Sequence, residues 1–173
     1  MTLGQDIARR ARLLNAAGFA ACAAMMAYAL YVQYGLMLMP CPLCVFQRLA
    51  TIALGIVFLL AALHDPAGWG RRVYAVLIAL VAACGAGVAG WHVRIQHLPP
   101  EAVPACGPGF DYIIDSFPLA DALRMIFTGS GECADIDWLF LGLSMPAWVL
   151  ACFVVLLAFG LVVNLARKKK SAG

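Results

Sequence analysis

Charge is what this chain of 173 residues has least of. Asp, Glu, Lys and Arg together make up 12% of it, about half the roughly 25% of an ordinary soluble domain. The stretch Leu49–Leu63 carries none. With 64% hydrophobic residues and a mean hydropathy of +0.90, this excludes a small soluble globule, because so short a chain cannot bury that much apolar surface. Lipid can cover it instead. Positive charge is also scarce over one long stretch. Trp91–Met145 has Arg94 and Arg124 against seven acids: Glu101, Asp111, Asp115, Asp121, Glu132, Asp135 and Asp137. The net charge of +3 therefore comes from clusters elsewhere and is no sign of nucleic-acid binding.

Four stretches meet the requirement of about 20 apolar residues for a 30 Å bilayer core: Leu13–Tyr34, Leu43–Leu63, Val73–Trp91 and Pro146–Leu165. Each is too long for a lone buried strand. In lipid the backbone must satisfy its own hydrogen bonds, which favours helices. Small residues such as Ala82-Ala-Cys-Gly-Ala-Gly87 let such helices approach closely. The expected fold is an all-α integral membrane protein. Residues 1–173 form one membrane domain, a four-transmembrane-helix bundle with a long loop over about 92–145. A cleaved signal peptide is the competing reading of the first stretch, with Arg9, Arg10 and Arg12 as its basic start. The stretch is too long for a typical signal core and other spans follow, so retention is expected. Phe19-Ala-Ala-Cys22 resembles a lipoprotein cleavage box, but its Phe does not fit.

Nine of the twelve cations fall in three segments that four spans place on one side. They are Arg9, Arg10 and Arg12, then Arg71 and Arg72, then Arg167, Lys168, Lys169 and Lys170. The positive-inside rule puts both termini in the cytoplasm and the long acidic loop outside.

Of the seven cysteines, Cys22, Cys84 and Cys152 fall mid-span and read as small packing residues. Cys41 and Cys44 end the first outer connection, and Cys106 and Cys133 lie in the long outer loop. All four can meet at one membrane face, on the oxidising side of a cell envelope. Two structural disulfides, a zinc site or two exchanging redox pairs are the alternatives. Zinc is weakly supported, since one pair has CxxC spacing and the other is 27 positions apart. A structural bridge suits Cys106–Cys133. It suits Cys41–Cys44 badly, because so small a ring constrains the unfolded chain little, whereas CxxC commonly hosts a reactive thiolate. The spacing favours redox chemistry without removing the other two readings.

Pro42 suits the first turn of a helix. With 100° per residue, Cys41, Cys44 and Arg48 then project within an arc of about 60°. The N-terminal N–H groups and the helix dipole favour an anion there, and a guanidinium one turn below adds to that. Snorkelling to headgroups is the plainer account of Arg48, but ionisable groups within a span usually face a bundle or cavity. His92, in Gly90-Trp-His-Val-Arg94, reads by itself as an ordinary interfacial residue, and Trp91 fits an aromatic belt.

In the loop, Pro118–Phe127 has an apolar stripe of Leu119, Ala122, Leu123 and Ile126 at helical spacing. A short interfacial helix lying on the membrane is expected. Gly129-Ser-Gly131 before Cys133 allows unusual dihedrals and motion. Pro99-Pro100, Pro104 and Gly107-Pro108-Gly109 around Cys106 point to an exposed, irregular segment that another protein could grip.

With these motifs in view, the chain resembles the disulfide-bond formation protein B (DsbB) family of bacterial inner membranes. The resemblance rests on four helices, Pro40-Cys-Pro-Leu-Cys44 with Arg48, two loop cysteines, Ser130-Gly-Glu-Cys-Ala134 and Phe140-Leu-Gly-Leu-Ser-Met-Pro-Ala-Trp148. The family often has Glu before the arginine where this chain has Gln47, a departure that reads as distant from the cysteine chemistry. The resemblance implies a protein-disulfide:quinone oxidoreductase that reoxidises a DsbA-like periplasmic thiol oxidase and passes electrons to the respiratory quinone pool, ubiquinone or menaquinone. It implies that the partner attacks Cys106, that Cys133 leaves and attacks Cys41, and that Cys44 is released against the quinone ring. Arg48 would stabilise that thiolate, and His92 matches a position linked to quinone binding. A dithiol at the lip of a span then makes sense, because one substrate arrives from water and the other from lipid. The rivals are a paralogue with a dedicated partner, a vitamin K epoxide reductase-like protein, and a membrane scaffold with structural disulfides. The second has its CxxC after the loop cysteines, the reverse of this chain.

Overall fold

The computed structural model describes residues 3–66, 68–103, 110–128 and 131–165. Four long helices form the frame: α1 (Leu3–Gly35), α2 (Pro42–His64), α3 (Trp69–Ile95) and α7 (Met145–Leu165). All four are long and apolar enough to cross a membrane. They contain the four apolar stretches and run past them where polar residues, such as Trp69-Gly-Arg-Arg72 and His92-Val-Arg-Ile95, continue the helix. Between α3 and α7 come a 3₁₀ turn (Pro100–Ala102), α4 (Phe110–Ser116), α5 (Leu119–Thr128), α6 (Gly131–Ala134) and an antiparallel hairpin of β1 (Leu139–Phe140) and β2 (Leu143–Ser144). This hairpin is the departure from helix among the described residues. Leu141 and Gly142 at its turn both have positive φ, 52° and 78°, as a two-residue type I′ connection requires.

Each long helix packs on the next, and α7 closes the ring on α1. The short connections 36–41 and 65–68 make neighbours antiparallel. The end of α1, the start of α2, the end of α3 and the start of α7 therefore share one end of the bundle, called here the mouth. The interior is built from large side chains set against small ones. Phe58, Phe153, Leu54 and Ile78 are fully buried. Gly85 faces the Phe153 ring, and a Cβ at Gly18 would come within 2.7 Å of the Phe58 ring. Such approaches hold helices together where lipid competes equally well for apolar side chains. Leu80, Val155 and Val162 point outward and are about two-thirds exposed, as lipid-facing positions must be.

A second apolar cluster roofs the mouth, formed by Leu43, Ile95, Ile113, Ala122, Ile126 and Cys133. The stripe expected in the loop is divided. Ala122 and Ile126 of α5 dock into this roof, while Leu119 at the start of the helix is 70% exposed. Trp91 Nε1 donates to Phe127 O (2.9 Å) and pins the end of α5 to α3. At the opposite end of the bundle Asn15 and Asn164 are buried and exchange amide hydrogen bonds, Asn164 Nδ2 to Asn15 Oδ1 at 3.1 Å and the reverse at 3.4 Å.

Candidate redox site

The site begins with the start of α2. Pro42 occupies the first turn and Cys41 is the N-cap, its carbonyl accepting the first intrahelical bond from Val45 N at 3.2 Å. Pro42 has no N–H to leave orphaned, so the chain can turn into the helix directly after a cysteine. One turn of helix then brings Cys44 beneath Cys41, with the sulfurs 3.0 Å apart. Cys41 is buried and Cys44 half-buried. Both sit where the helix dipole and unpaired first-turn N–H groups favour negative charge.

Arg48 follows on the same face. Its guanidinium donates to Gln33 Oε1 and to Ala29 O (3.1 Å), both on α1. It is tied across the helix pair and does not snorkel to the surface. Arg48, Cys41 and Cys44 line one cavity of about 130 Å³, whose walls include Met25, Val32 and Trp138.

His92 departs from the reading of an interfacial residue. It is 2% exposed, at the end of α3 and under the loop. Its Nε2 lies 3.1 Å from Cys133 O and 3.8 Å from Cys41 Sγ, and its Nδ1 lies 2.9 Å from Gln47 Nε2. A carbonyl oxygen can only accept, so Nε2 carries the proton and the neutral ring accepts from the Gln47 amide at Nδ1. Gln47, read in the sequence as distant from the cysteines, is thus buried at 4% exposure and one hydrogen bond from a ring that touches two of them. Cys133, on the one-turn α6, is completely buried. The donor atoms of Cys41, His92 and Cys133 all lie within 4.8 Å of one another. Among the four loop and lip cysteines, Cys106 falls outside the described residues, as do Pro104, Gly107-Pro108-Gly109, Gly129, Ser130 and the basic tail from Arg167.

The family model "Disulfide bond formation protein DsbB" matches residues 11–163. The chain belongs to the DsbB family. It is 54% identical over 145 residues to the disulfide bond formation protein B of Methylococcus capsulatus, covering 84% of this chain and 88% of that protein. It is 51% identical over 139 residues to the protein of the same name from Nitrosococcus oceani, covering 80% and 82%. The relative from Saccharophagus degradans is 50% identical over 140 residues, with 81% and 84% covered. Within this family the chain is a multi-pass membrane protein with four spans.

Beyond the DsbB motifs, the structure adds residues to the site that single-sequence reading passed over. Gln33 is not singled out by the sequence, and Gln47 only as the residue before the arginine, because an amide within an apolar stretch carries no charge pattern. The signal that could have found them is the expense of a polar side chain inside a span, which normally marks a partner or a function. Gln96, which accepts from Ser144 Oγ at 2.6 Å, ties β2 to α3 on the rim of the same cavity.

Proposed function

We propose that this DsbB-family protein reoxidises a DsbA-like periplasmic thiol oxidase and passes the electrons to a membrane quinone, so that new disulfides form. The observation that carries the reading is a continuous line of sulfur. Cys133 Sγ lies within 4.8 Å of Cys41 Sγ, and Cys41 Sγ lies 3.0 Å from Cys44 Sγ. Cys44 lines a cavity at the mouth, walled by all four long helices and the loop, that has an apolar wall and a fixed guanidinium. Those residues fit a flat ring with polar edges and a lipid tail, and Arg48, Cys44 and His92 would hold it. Bound there, a quinone supplies an acceptor for two electrons and two protons.

The chain's own steps follow from thiol–disulfide exchange. The partner's thiolate attacks Cys106 of a Cys106–Cys133 disulfide, and Cys133 leaves. Cys133 then attacks Cys41 of a Cys41–Cys44 disulfide, and Cys44 leaves as a thiolate facing the cavity. The first-turn N–H groups and Arg48 hold that charge. The partner's second thiol releases it as a disulfide, and the Cys106 thiol returns to Cys133 and frees Cys41. The Cys41–Cys44 bond reforms as two electrons pass to the acceptor. The balance is one partner disulfide gained, with two electrons and two protons handed on. The basic clusters at Arg9–Arg12, Arg71–Arg72 and Arg167–Lys170 support a cytoplasmic placement of both termini, with the mouth on the periplasmic face of the bacterial inner membrane.

The test supplies purified protein with a reduced DsbA-type oxidase and a soluble quinone and follows quinone absorbance. Turnover is expected in wild type, none in Cys44→Ser, and a raised quinone requirement in Arg48→His. No turnover in wild type discards the relay. Full turnover in Cys44→Ser discards Cys44 as the sulfur that delivers the electrons.

A further inference from the structure

We infer that the reduced mouth is also a binding site for a thiophilic dication of the zinc class, built from Cys41, Cys44, Cys133 and His92. In the CxxC-centred reading zinc is weak, because Cys106 and Cys133 lack a second close spacing. The folded chain presents a different donor set. Donor atoms of Cys41, His92 and Cys133 lie within 4.8 Å of one another and all three residues are buried. Cys44 Sγ lies 3.0 Å from Cys41 Sγ, and Cys41 Sγ lies 3.8 Å from His92 Nε2. Around a tetrahedral zinc with bonds of about 2.0–2.3 Å, neighbouring donors stand roughly 3.5–3.8 Å apart. Small side-chain shifts therefore bring Cys41, Cys133 and His92 around one ion, and Cys44, which adjoins this trio through Cys41, turns inward to complete a three-thiolate, one-imidazole shell.

Two nearby groups complete the shell. Coordination through Nε2 moves the ring proton to Nδ1, which then needs an acceptor. Gln47 provides one, since turning its amide puts Oε1 where Nε2 now stands, 2.9 Å from Nδ1. Three thiolates on a dication leave one negative charge, and Arg48, on the wall of the same cavity, faces it. Binding releases the three thiol protons and occupies the lone pairs that exchange requires. The site exists only while the cysteines are thiols, and a bound ion holds the protein in its reduced form.

Metal binding rests on the geometry of the reduced residues, and its effect on turnover rests on the proposed relay. The experiment separates them. Full-length protein in detergent is reduced, freed of reductant without air, and titrated with Cd²⁺ while the ultraviolet sulfur-to-cadmium charge-transfer band is followed. One equivalent per chain is expected, displaced by Zn²⁺. The band should vanish in oxidised protein and weaken at least tenfold in affinity in Cys133→Ser and in His92→Ala. It should be unchanged in a variant with Cys22, Cys84 and Cys152 all replaced by Ser. In the relay assay, one equivalent of Zn²⁺ should stop quinone reduction by pre-reduced protein. A missing band beside normal metal-free turnover overturns the metal site alone. Metal-free protein that never turns over, but shows the band, overturns the relay alone. A band that survives oxidation or Cys133→Ser, or that the triple variant abolishes, overturns the assigned ligands.

Discussion

The two ends of the bundle both bury polar side chains, and they do so in opposite ways. Away from the mouth, Asn15 and Asn164 face each other across α1 and α7. Each amide also donates to a carbonyl four residues earlier on its own helix, Ala11 O at 3.1 Å and Gly160 O at 2.9 Å. Arg71 closes the end with a 2.6 Å bond to Val163 O. Every partner there is an inert amide or backbone group, and the cluster returns upon itself. At the mouth, Gln47, His92, Cys41, Cys44 and Cys133 are linked as closely, but the chain ends on sulfur and opens on a cavity with a guanidinium. Among the described residues no buried side-chain nitrogen or oxygen lacks a partner, so satisfaction alone does not separate the two ends. What separates them is the presence of atoms that can change bonds, next to space for something to change bonds with. A buried polar cluster that closes on itself fixes register, while one that opens on a cavity can do chemistry.

That contrast breaks most visibly at Cys44. Cys44→Ser should lower quinone-dependent turnover below about a thousandth of wild type, since the proposed relay then lacks the sulfur that delivers the electrons. Its thermal midpoint in detergent should stay near wild type. A large fall in stability with retained turnover would make the mouth another structural cluster. The next effect is at Gln47. Gln47→Leu leaves His92 Nδ1 buried without its donor, at a cost of about 1–3 kcal/mol, or roughly 5- to 150-fold if expressed in the rate. Gln47→Glu keeps a partner on Nδ1 once the ring takes a second proton there and donates to the carboxylate, and should lose less. Steady-state rates with the DsbA-type partner and soluble quinone measure both. Equal losses in the two variants would mean that the amide supports packing and does not orient the ring.

The frame was legible because lipid imposes a simple code. Long uncharged stretches, cations on alternate connections and glycines within spans specify four helices before any contact is known. The Cys41–Cys44–Arg48 column was legible for a related reason, since helical spacing alone fixes which side chains share a face. The site's other half was not. His92 and Cys133 are 41 positions apart, and no local rule says that a one-turn helix carries Cys133 over the end of α3. The amides of Gln33 and Gln47 acquire meaning only from partners on other helices, Arg48 and His92. The loop helix shows the same limit. Its apolar stripe was clear, but whether that stripe meets membrane or protein is decided by the roof formed by Leu43 and Ile95, which periodicity does not reveal.

The smallest expected effect tests the other end. Asn15→Leu removes one side of the reciprocal pair and leaves the Asn164 amide facing an apolar neighbour. Interhelical hydrogen bonds in membranes contribute about 0.6 kcal/mol on average and up to roughly 1.7, so a loss of that order is expected in unfolding measured in detergent and denaturant. Turnover should stay at wild type, because nothing in the pair reaches the cavity. Asn164→Leu should behave alike. The double variant is decisive. If the pair serves only to satisfy itself, replacing both amides removes the orphaned group and recovers part of the loss, because an apolar pair of similar shape leaves no buried donor unmatched. If the two losses instead add, or if turnover falls with stability, then this end is coupled to the mouth and the division between a closed cluster and an open one is wrong.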